Sequence, residues 1–419
     1  MLKLSWLNQA WFKNAWNREV KPAEKYRQVF TLSMFGYGIM ATFYGVMPLF
    51  AEIRKLDDDL QNETGFFAQI LSYEVLLPLF VITVLCNYLL SVMSYTQQKK
   101  TFGEDMPMDH AAYQLANLLL LATTALLIII PAIFLSIVFD WNMDDARNWM
   151  GILENFIVSL PSQLDKVPTL INFPPLVAFL TASIMSGFGA YWWHRLGHSW
   201  RPMWMLIHRP HHVPERISQL TSVFTDDVAF GVLTKRISIP LIQAIIAKLF
   251  THDSTTIIEI TAVWTLLGFA FRYALEPISH SIIFYDWSVK HKWIKLGCFA
   301  FFSGPYHLMH HSDKKEHQVV NVSFTPFYVW DILFGTFVNP TKERPNTGLT
   351  HSPEIYMNPF RIIFSGWAEM YMEFKHNKAW KDRFLILFGS TKYIPPIRYN
   401  YLKKSMDEIV YSQSNANHY

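Results

Sequence analysis

Charged residues make up only 16% of this 419-residue chain, while Trp, Tyr and Phe together also reach 16%. Soluble domains carry roughly 25% charge, so this chain has too few ions to cover a water-facing surface and a bilayer is the expected solvent. The net charge of +3 is small and no basic tract is interleaved with aromatics, which argues against nucleic acid as a partner; the only two cysteines, Cys86 and Cys298, lie far apart in apolar stretches and offer neither a disulfide framework nor a cysteine metal site.

Residues 1–30 are polar, Trp-rich and amphipathic, with six Lys/Arg. They read as a cytoplasmic segment rather than a removable signal peptide. Three stretches then have the roughly 20 apolar residues that span a bilayer: about Thr31–Ala51, Ile70–Ser94 and Tyr113–Phe139. A fourth, about Leu176–Trp193, runs directly into His194. The loop after the first span sets Arg54 and Lys55 against Glu52, Asp57, Asp58, Asp59 and Glu63. The excess of Lys/Arg before that span puts the N-terminus in the cytoplasm, and four crossings return the chain there at His194.

The apolar stretches Val228–Phe250 and Thr255–Ala274 are interrupted by Lys235, Arg236, Glu259 and Arg272. They are expected to form a hairpin that either re-enters the membrane or crosses it. From about Gly335 the chain is polar and aromatic, broken by Pro340, Pro345, Pro353 and Pro359. The expected fold is therefore all-α and integral to the membrane: about four transmembrane helices under a cytoplasmic histidine-rich cap. Its segments are 1–30, helices and loops over 31–175, a catalytic domain over 176–338, and a tail over 339–419 packed on the cap. The expected location is a bacterial inner membrane or the endoplasmic reticulum.

The run from His194 to His212 holds five histidines in nineteen residues. On a helix, residues three and four apart share a face, about 5–6 Å between Cβ atoms. His194 and His198 are four apart. His208, His211 and His212 form a trio that shares one site or bridges two, with Pro210 placing it at a helix start. His307, His310 and His311 repeat the spacing, and His280 ends an apolar segment between the groups. Eight clustered imidazoles without partners at a membrane boundary would carry a large desolvation cost, which a metal removes. Imidazole suits zinc, iron, copper or nickel rather than calcium or magnesium. So many ligands exceed one ion and suit two. No HExxH or HxxEH pairing supplies a hydrolytic base, and two redox-active irons point to dioxygen chemistry on a lipid. A di-zinc membrane lipid hydrolase is the rival reading.

The segment "YWWHRLGHSWRPMWMLIHRPHHVPE", followed by "GPYHLMHHS" and "VWDILFGTF", resembles the fatty acid hydroxylase and sterol desaturase superfamily. The resemblance covers roughly residues 176–338. It implies integral-membrane di-iron oxygenases, with the ligand role falling on His194, His198, His208, His211, His212, His280, His307, His310 and His311. "TGLTHSPEIYMNPF" and "WKDRF" in the tail are similar to the alkylglycerol monooxygenase branch, through Gly348, Leu349, Asn358, Pro359, Trp380 and Asp382. Val213 and Pro214 after His212, Ile282, and Val322 and Ser323 after Asn321 depart from the usual pattern. None of these removes a ligand.

The implied activity is O2-dependent hydroxylation or desaturation of a lipid C–H bond. The lipid, drawn from the bilayer, is a sterol, fatty acyl chain, sphingolipid, ether lipid or hydrocarbon. Neither a nucleotide-binding glycine turn nor a fused haem element is evident, so electrons are expected from a separate redox carrier or reductase; the branch resemblance also allows a pterin. Glu215, Asp226, Asp227 and Asp313 lie near the histidines as candidates to orient them through hydrogen bonds. Trp330 and Asp331 read as structural. Arg195, Arg209 and Arg216 read as lipid-phosphate contacts or snorkelling charges. His291 and His317 are lone histidines near the core. His110, His252, His376 and His418 read as ordinary core or interface residues.

Overall fold

The computed structural model describes residues 73–102, 112–113, 115–120, 164–218, 239–301, 304–323, 325–349, 358–399 and 411–412. The expected first span, most of the third, the N-terminal segment, Asp226 and Asp227 lie outside them. Within these bounds the protein is mostly helical.

Among the described residues, two helices are long and apolar enough to cross a bilayer: α1, Tyr73–Phe102, and α2, Pro175–Ser199. They correspond to the second and fourth expected spans. Only 18% and 28% of their apolar windows are buried inside the protein, whereas the core helix of a soluble protein would be mostly covered. Val81, Ile82, Leu85 and Leu89 on α1, and Leu176, Leu180, Ile184 and Phe188 on α2, are exposed. Such surface suits contact with lipid or another apolar partner. Pro174 and Pro175 start α2 where no backbone N–H is required, and Lys99 and Lys100 sit in the last turn of α1, where they complement the helix dipole.

After α2 the chain makes a short turn, α3 (Arg201–Met203), a π-helical turn over Trp204–His208, and α4 (Arg209–His212). Pro210 lies in the first turn of α4. A proline there has no N–H to return to the preceding turn, and the Arg209 N–H instead reaches back five residues to the Trp204 carbonyl. Single π turns of this kind re-aim side chains and recur at functional sites.

The expected hairpin is present as α5 (Ile239–Phe250) and α6 (Ser254–Ser279). The Asp253 side chain caps α6 by accepting from the Thr256 N–H at 2.7 Å. α6 packs along α1 and against α5, and α5 packs on α2. Ala178 and Ala182 of α2, Ala244 and Ala247 of α5, and Ile257 and Ile260 of α6 share one apolar cluster; the alanines let the helices approach closely.

The remaining helices are α7 (Ile282–Lys290), α8 (Lys292–Ala300), α9 (Pro305–His310), α10 (Val329–Leu333), α11 (Pro359–His376) and α12 (Trp380–Phe388). Two-residue strands β1 (Ile397–Arg398) and β2 (Tyr411–Ser412) pair antiparallel. Asn358 caps α11, its side chain accepting from the Phe360 and Arg361 N–H groups, with Pro359 in the first turn. α11 lies directly against the π turn, because a Cβ added to Gly366 would run into the Met205 carbonyl oxygen. Gly366→Ala is therefore expected to force the two backbones apart at a cost of about 1–3 kcal/mol. A lowered thermal midpoint of the detergent-solubilised protein would register it, and an unchanged midpoint would contradict the packing.

Candidate metal centre

Nine histidines converge at the boundary between α2 and the cap, in two groups. His194, His198, His208, His212 and His310 form one; His211, His280, His307 and His311 form the other. Within each group the candidate ligand nitrogens lie within 4.8 Å of one another. Eight of the nine rings are buried, and His211 is partly exposed.

The division follows from helical spacing. His194 and His198 occupy successive turns at the end of α2. In the trio after the π turn, His208 and His212 face the first group, while His211 faces the second. The later trio on α9 reverses this: His307 and His311 face the second group and His310 the first. Each HxxHH sequence thus sends its four-apart pair to one group and its third histidine to the other. His280, at the C-terminal end of α6, completes the second group.

Proton bookkeeping shows what this geometry requires. His208 Nε2 lies 3.1 Å from His194 Nε2, 2.9 Å from His198 Nε2 and 3.0 Å from His212 Nε2. His198 Nε2 also lies 3.2 Å from His310 Nε2. In the second group His307 Nε2 is 3.0 Å from His280 Nε2 and 3.1 Å from His311 Nε2. A ring nitrogen carries at most one proton, so such a cluster cannot be joined by hydrogen bonds throughout. Metal–imidazole bonds of about 2.1 Å would set neighbouring nitrogens about 3.0 Å apart at right angles and about 3.4 Å apart at the tetrahedral angle. The observed separations of 2.9–3.2 Å cluster nearer the right-angled value.

Two rings have their tautomer set by the backbone. His194 Nδ1 lies 2.8 Å from the Val322 carbonyl oxygen and His310 Nδ1 lies 2.8 Å from that of Val320. A carbonyl only accepts, so each Nδ1–H donates and each Nε2 presents a lone pair to the group, the arrangement metal-ligating histidines use. Burial, reinforced by neighbouring imidazoles, holds His212, His307 and His311 well below the usual histidine range. They are neutral, as ligands must be.

Asp331 supports the carbonyls. Its Oδ1 accepts from the Val322 N–H at 2.9 Å and from Thr336 Oγ1 at 2.6 Å, and its Oδ2 accepts from the Ser323 N–H at 2.7 Å. Trp330 Nε1 donates to the Ile184 carbonyl of α2 at 2.9 Å. Asn321, in the left-handed region at φ 50°, donates to the Tyr306 and Val338 carbonyls and accepts from the Val338 N–H. Phe327 and Tyr328 are also left-handed, at φ 60° and 48°, at a cost of about 1–3 kcal/mol each. Tyr328, fully buried with Tyr306 and Cys298, helps hold the turn in place.

Arg209 differs from its expected role at the lipid surface. It is buried and bidentate to Glu369, with Nη1 2.5 Å from Oε2 and Nη2 3.0 Å from Oε1, and Nη2 also donates to Ser365 Oγ at 2.7 Å. Arg201 pairs with Glu373 at 2.5 Å and donates to the Tyr393 carbonyl. Two α11 carboxylates one turn apart therefore grip the π turn on either side of His208. Arg195, by contrast, lies over the Tyr191 and Trp192 rings near the end of α2. Gln98 of α1 is a further fastening, donating to the Ile217 and His280 carbonyls.

Of the carboxylates singled out in the sequence, Asp226 and Asp227 lie outside the described residues, and Glu215 and Asp313 are not among the clustered ligand atoms. Glu215 is exposed beside Gly348, its carbonyl accepting from Thr347 Oγ1, and the Asp313 N–H donates to the Asn346 carbonyl. Neither group includes a carboxylate among the described residues. His291 is exposed and His317 half-buried, and neither joins a group.

Residues 179–336 match a family model, that of the fatty acid hydroxylases. The match covers less than half of the chain, and over it the chain is similar to fatty acid hydroxylase domains. The matched stretch contains all nine clustered histidines, while the Arg-gripping carboxylates of α11 lie beyond its end. No curated protein and no solved structure matches the chain. The family match and the buried histidines fit a metal-dependent lipid oxygenase, an oxidoreductase of a membrane-associated family.

Glu369→Ala would leave the Arg209 guanidinium buried without its charge partner, a change that costs about 3–5 kcal/mol when a buried pair is broken. A large fall in thermal midpoint is expected, with Glu369→Gln, which keeps one acceptor, falling less. Equal midpoints for wild type and Glu369→Ala would show that the pair does not hold the π turn.

Proposed function

We propose that the protein is a membrane-bound di-iron oxygenase. It would use O2 and electrons from a separate donor to hydroxylate, or desaturate, a C–H bond of a lipid taken from the bilayer. The observation that carries this reading is the convergence of imidazole nitrogens, three of them around His208 Nε2, in a pattern protons alone cannot satisfy. All-imidazole surroundings favour a transition metal, and the absence of a carboxylate from either group among the described residues favours redox chemistry over a di-zinc hydrolase, which needs a base.

His194, His198, His208, His212 and His310 would hold one iron, and His211, His280, His307 and His311 the other. The irons would supply dioxygen activation. The chain's own part is to present and shield the groups. The Val320 and Val322 carbonyls keep His310 and His194 in the tautomer that offers Nε2. The Trp204 ring lies against His198 and His212, at 5.3 and 5.5 Å between centroids, and excludes water from that side.

The topology belongs to the same proposal: four crossings, an N-terminus and histidine cap on the cytoplasmic side, and a catalytic unit over 176–338 with the tail packed on it. The tail's resemblance to alkylglycerol monooxygenases makes an ether lipid the first substrate to test and a pterin the first donor, beside a protein reductase.

Metal analysis of protein purified from iron-supplied cells is expected to find about two irons per chain. The two groups can be separated: His310→Ala should lower the occupancy of one group and His211→Ala that of the other. Each single variant is expected to retain about one iron, and the double variant none. Two zincs in iron-replete protein that consumes no O2 with lipid and reductant would overturn the oxygenase in favour of the hydrolase.

A further inference from the structure

Helix α12 carries an apolar face that nothing in the described protein covers. Trp380 is 77% exposed and Phe388 58%, and Phe384 and Leu387 are exposed between them. At 100° per residue these positions fall on one side of the helix. The opposite side is anchored: Ile386 is fully buried in a cluster with Met205, Met370, Trp204 and Tyr393. An exposed stripe of large aromatics on a helix already docked by its other face calls for a second apolar phase.

Charge and position identify that phase. Lys375, Lys378, Lys381 and Lys392 are exposed around the stripe. Asp382 is the only acidic residue between 378 and 399, and it accepts from the Tyr393 hydroxyl at 2.7 Å. The far end of α12 is tied to the point where α2 leaves its apolar span. The Arg201 N–H donates to the Gly389 carbonyl at 2.9 Å, the Thr391 N–H donates to the Ser199 carbonyl at 3.0 Å, and Trp200 and Ser390 form an antiparallel bridge. Nine residues rising about 1.5 Å each make α12 about 13 Å long, so its whole apolar face lies close to the end of the span.

We propose that α12 lies in the plane of the membrane surface, with Trp380, Phe384, Leu387 and Phe388 sunk among lipid chains and the surrounding lysines on anionic headgroups. Aromatic and leucine side chains on one face with lysines beside them are the composition of interfacial helices. Anionic headgroups attract such lysines near the membrane surface. Through Ile386 the helix would also fix the height of the π turn, and so of His208, above the lipid. The proposal rests on the reading of α1 and α2 as membrane spans, and goes beyond it in giving the tail a lipid partner.

The test uses the full chain, with Cys86 and Cys298 replaced by alanine, in nanodiscs of mixed phosphatidylglycerol and phosphatidylcholine. Single spin labels are placed through Phe384→Cys, Phe388→Cys, Lys342→Cys and Leu89→Cys, and their collisions with O2 and with a water-soluble nickel chelate are measured. Labels at 384 and 388 are expected to favour O2 over nickel several-fold more than the label at exposed position 342. In discs of phosphatidylcholine alone this preference should fall, and no fall would overturn the role given to the lysines. Nickel access at 384 and 388 equal to that at 342 would overturn the proposal by placing the face in water. Shielding from both reagents would overturn it in favour of a second protein copy. Leu89 on α1 reports separately: nickel access there would show that the spanning reading itself has failed.

Discussion

The fold around the site is built to hold imidazole nitrogens about 3 Å apart in a buried volume. Left to themselves these groups would be costly. Each ring has lost water, and the nitrogens facing one another outnumber the protons available to join them. The backbone does not relieve the excess; it sharpens it. By taking the Nδ1 protons of His194 and His310, the Val322 and Val320 carbonyls leave two lone pairs aimed into one group. Such an arrangement makes physical sense when a cation completes it, and the supporting structure can be understood as what is needed to keep it ready.

That support comes from four directions. α2 contributes His194 and His198 from its last turns, so one rigid element carries both the exposed apolar surface and two of the clustered histidines. The loop after α9 is held by Asp331 and Asn321, and its carbonyls orient the rings. α1 reaches the second group through Gln98, which binds the carbonyl of His280 itself. From beyond the matched stretch, α11 clamps the π turn with Glu369 and Glu373. A buried ion pair adds little net stability but costs several kcal/mol to break. Its consequence here is geometric: the turn bearing His208, His211 and His212 has one position relative to α11.

Much of the site was legible because helical periodicity is local. Spacings of three and four residues place His194, His198 and both trios on shared helix faces, and the hydrophobic runs locate α1 and α2. The assignment of His211 and His310 to groups opposite their own neighbours was not legible. It depends on how α4 and α9 face each other, a relation the chain does not encode over short range. The same holds for Arg209. Beside histidines at a membrane boundary it read as a surface cation, because its partner lies 160 residues away on a helix outside the recognisable domain. Carbonyl acceptors such as Val320 and Val322 are invisible to any reading of side chains. The π turn had one sequence sign, Pro210, which marked a helix start but not the extra residue in the turn before it.

These relations explain why the histidines stand at the end of the apolar stretch of α2 rather than within it. Nine imidazoles need carbonyls, carboxylates and arginines around them, and those groups are too costly to surround with lipid. An apolar substrate chain, conversely, is costly to lift into water. The end of α2 is where both demands are met: Leu180 and Ile184 are exposed on its apolar surface, while His194 and His198, a few turns on, face the buried groups. Fixing the cap's height at that boundary is then as important as fixing its ligands. The backbone ties between Ser199–Arg201 and Gly389–Thr391 do this by joining the end of the candidate span α2 to the helix that carries the exposed aromatic face.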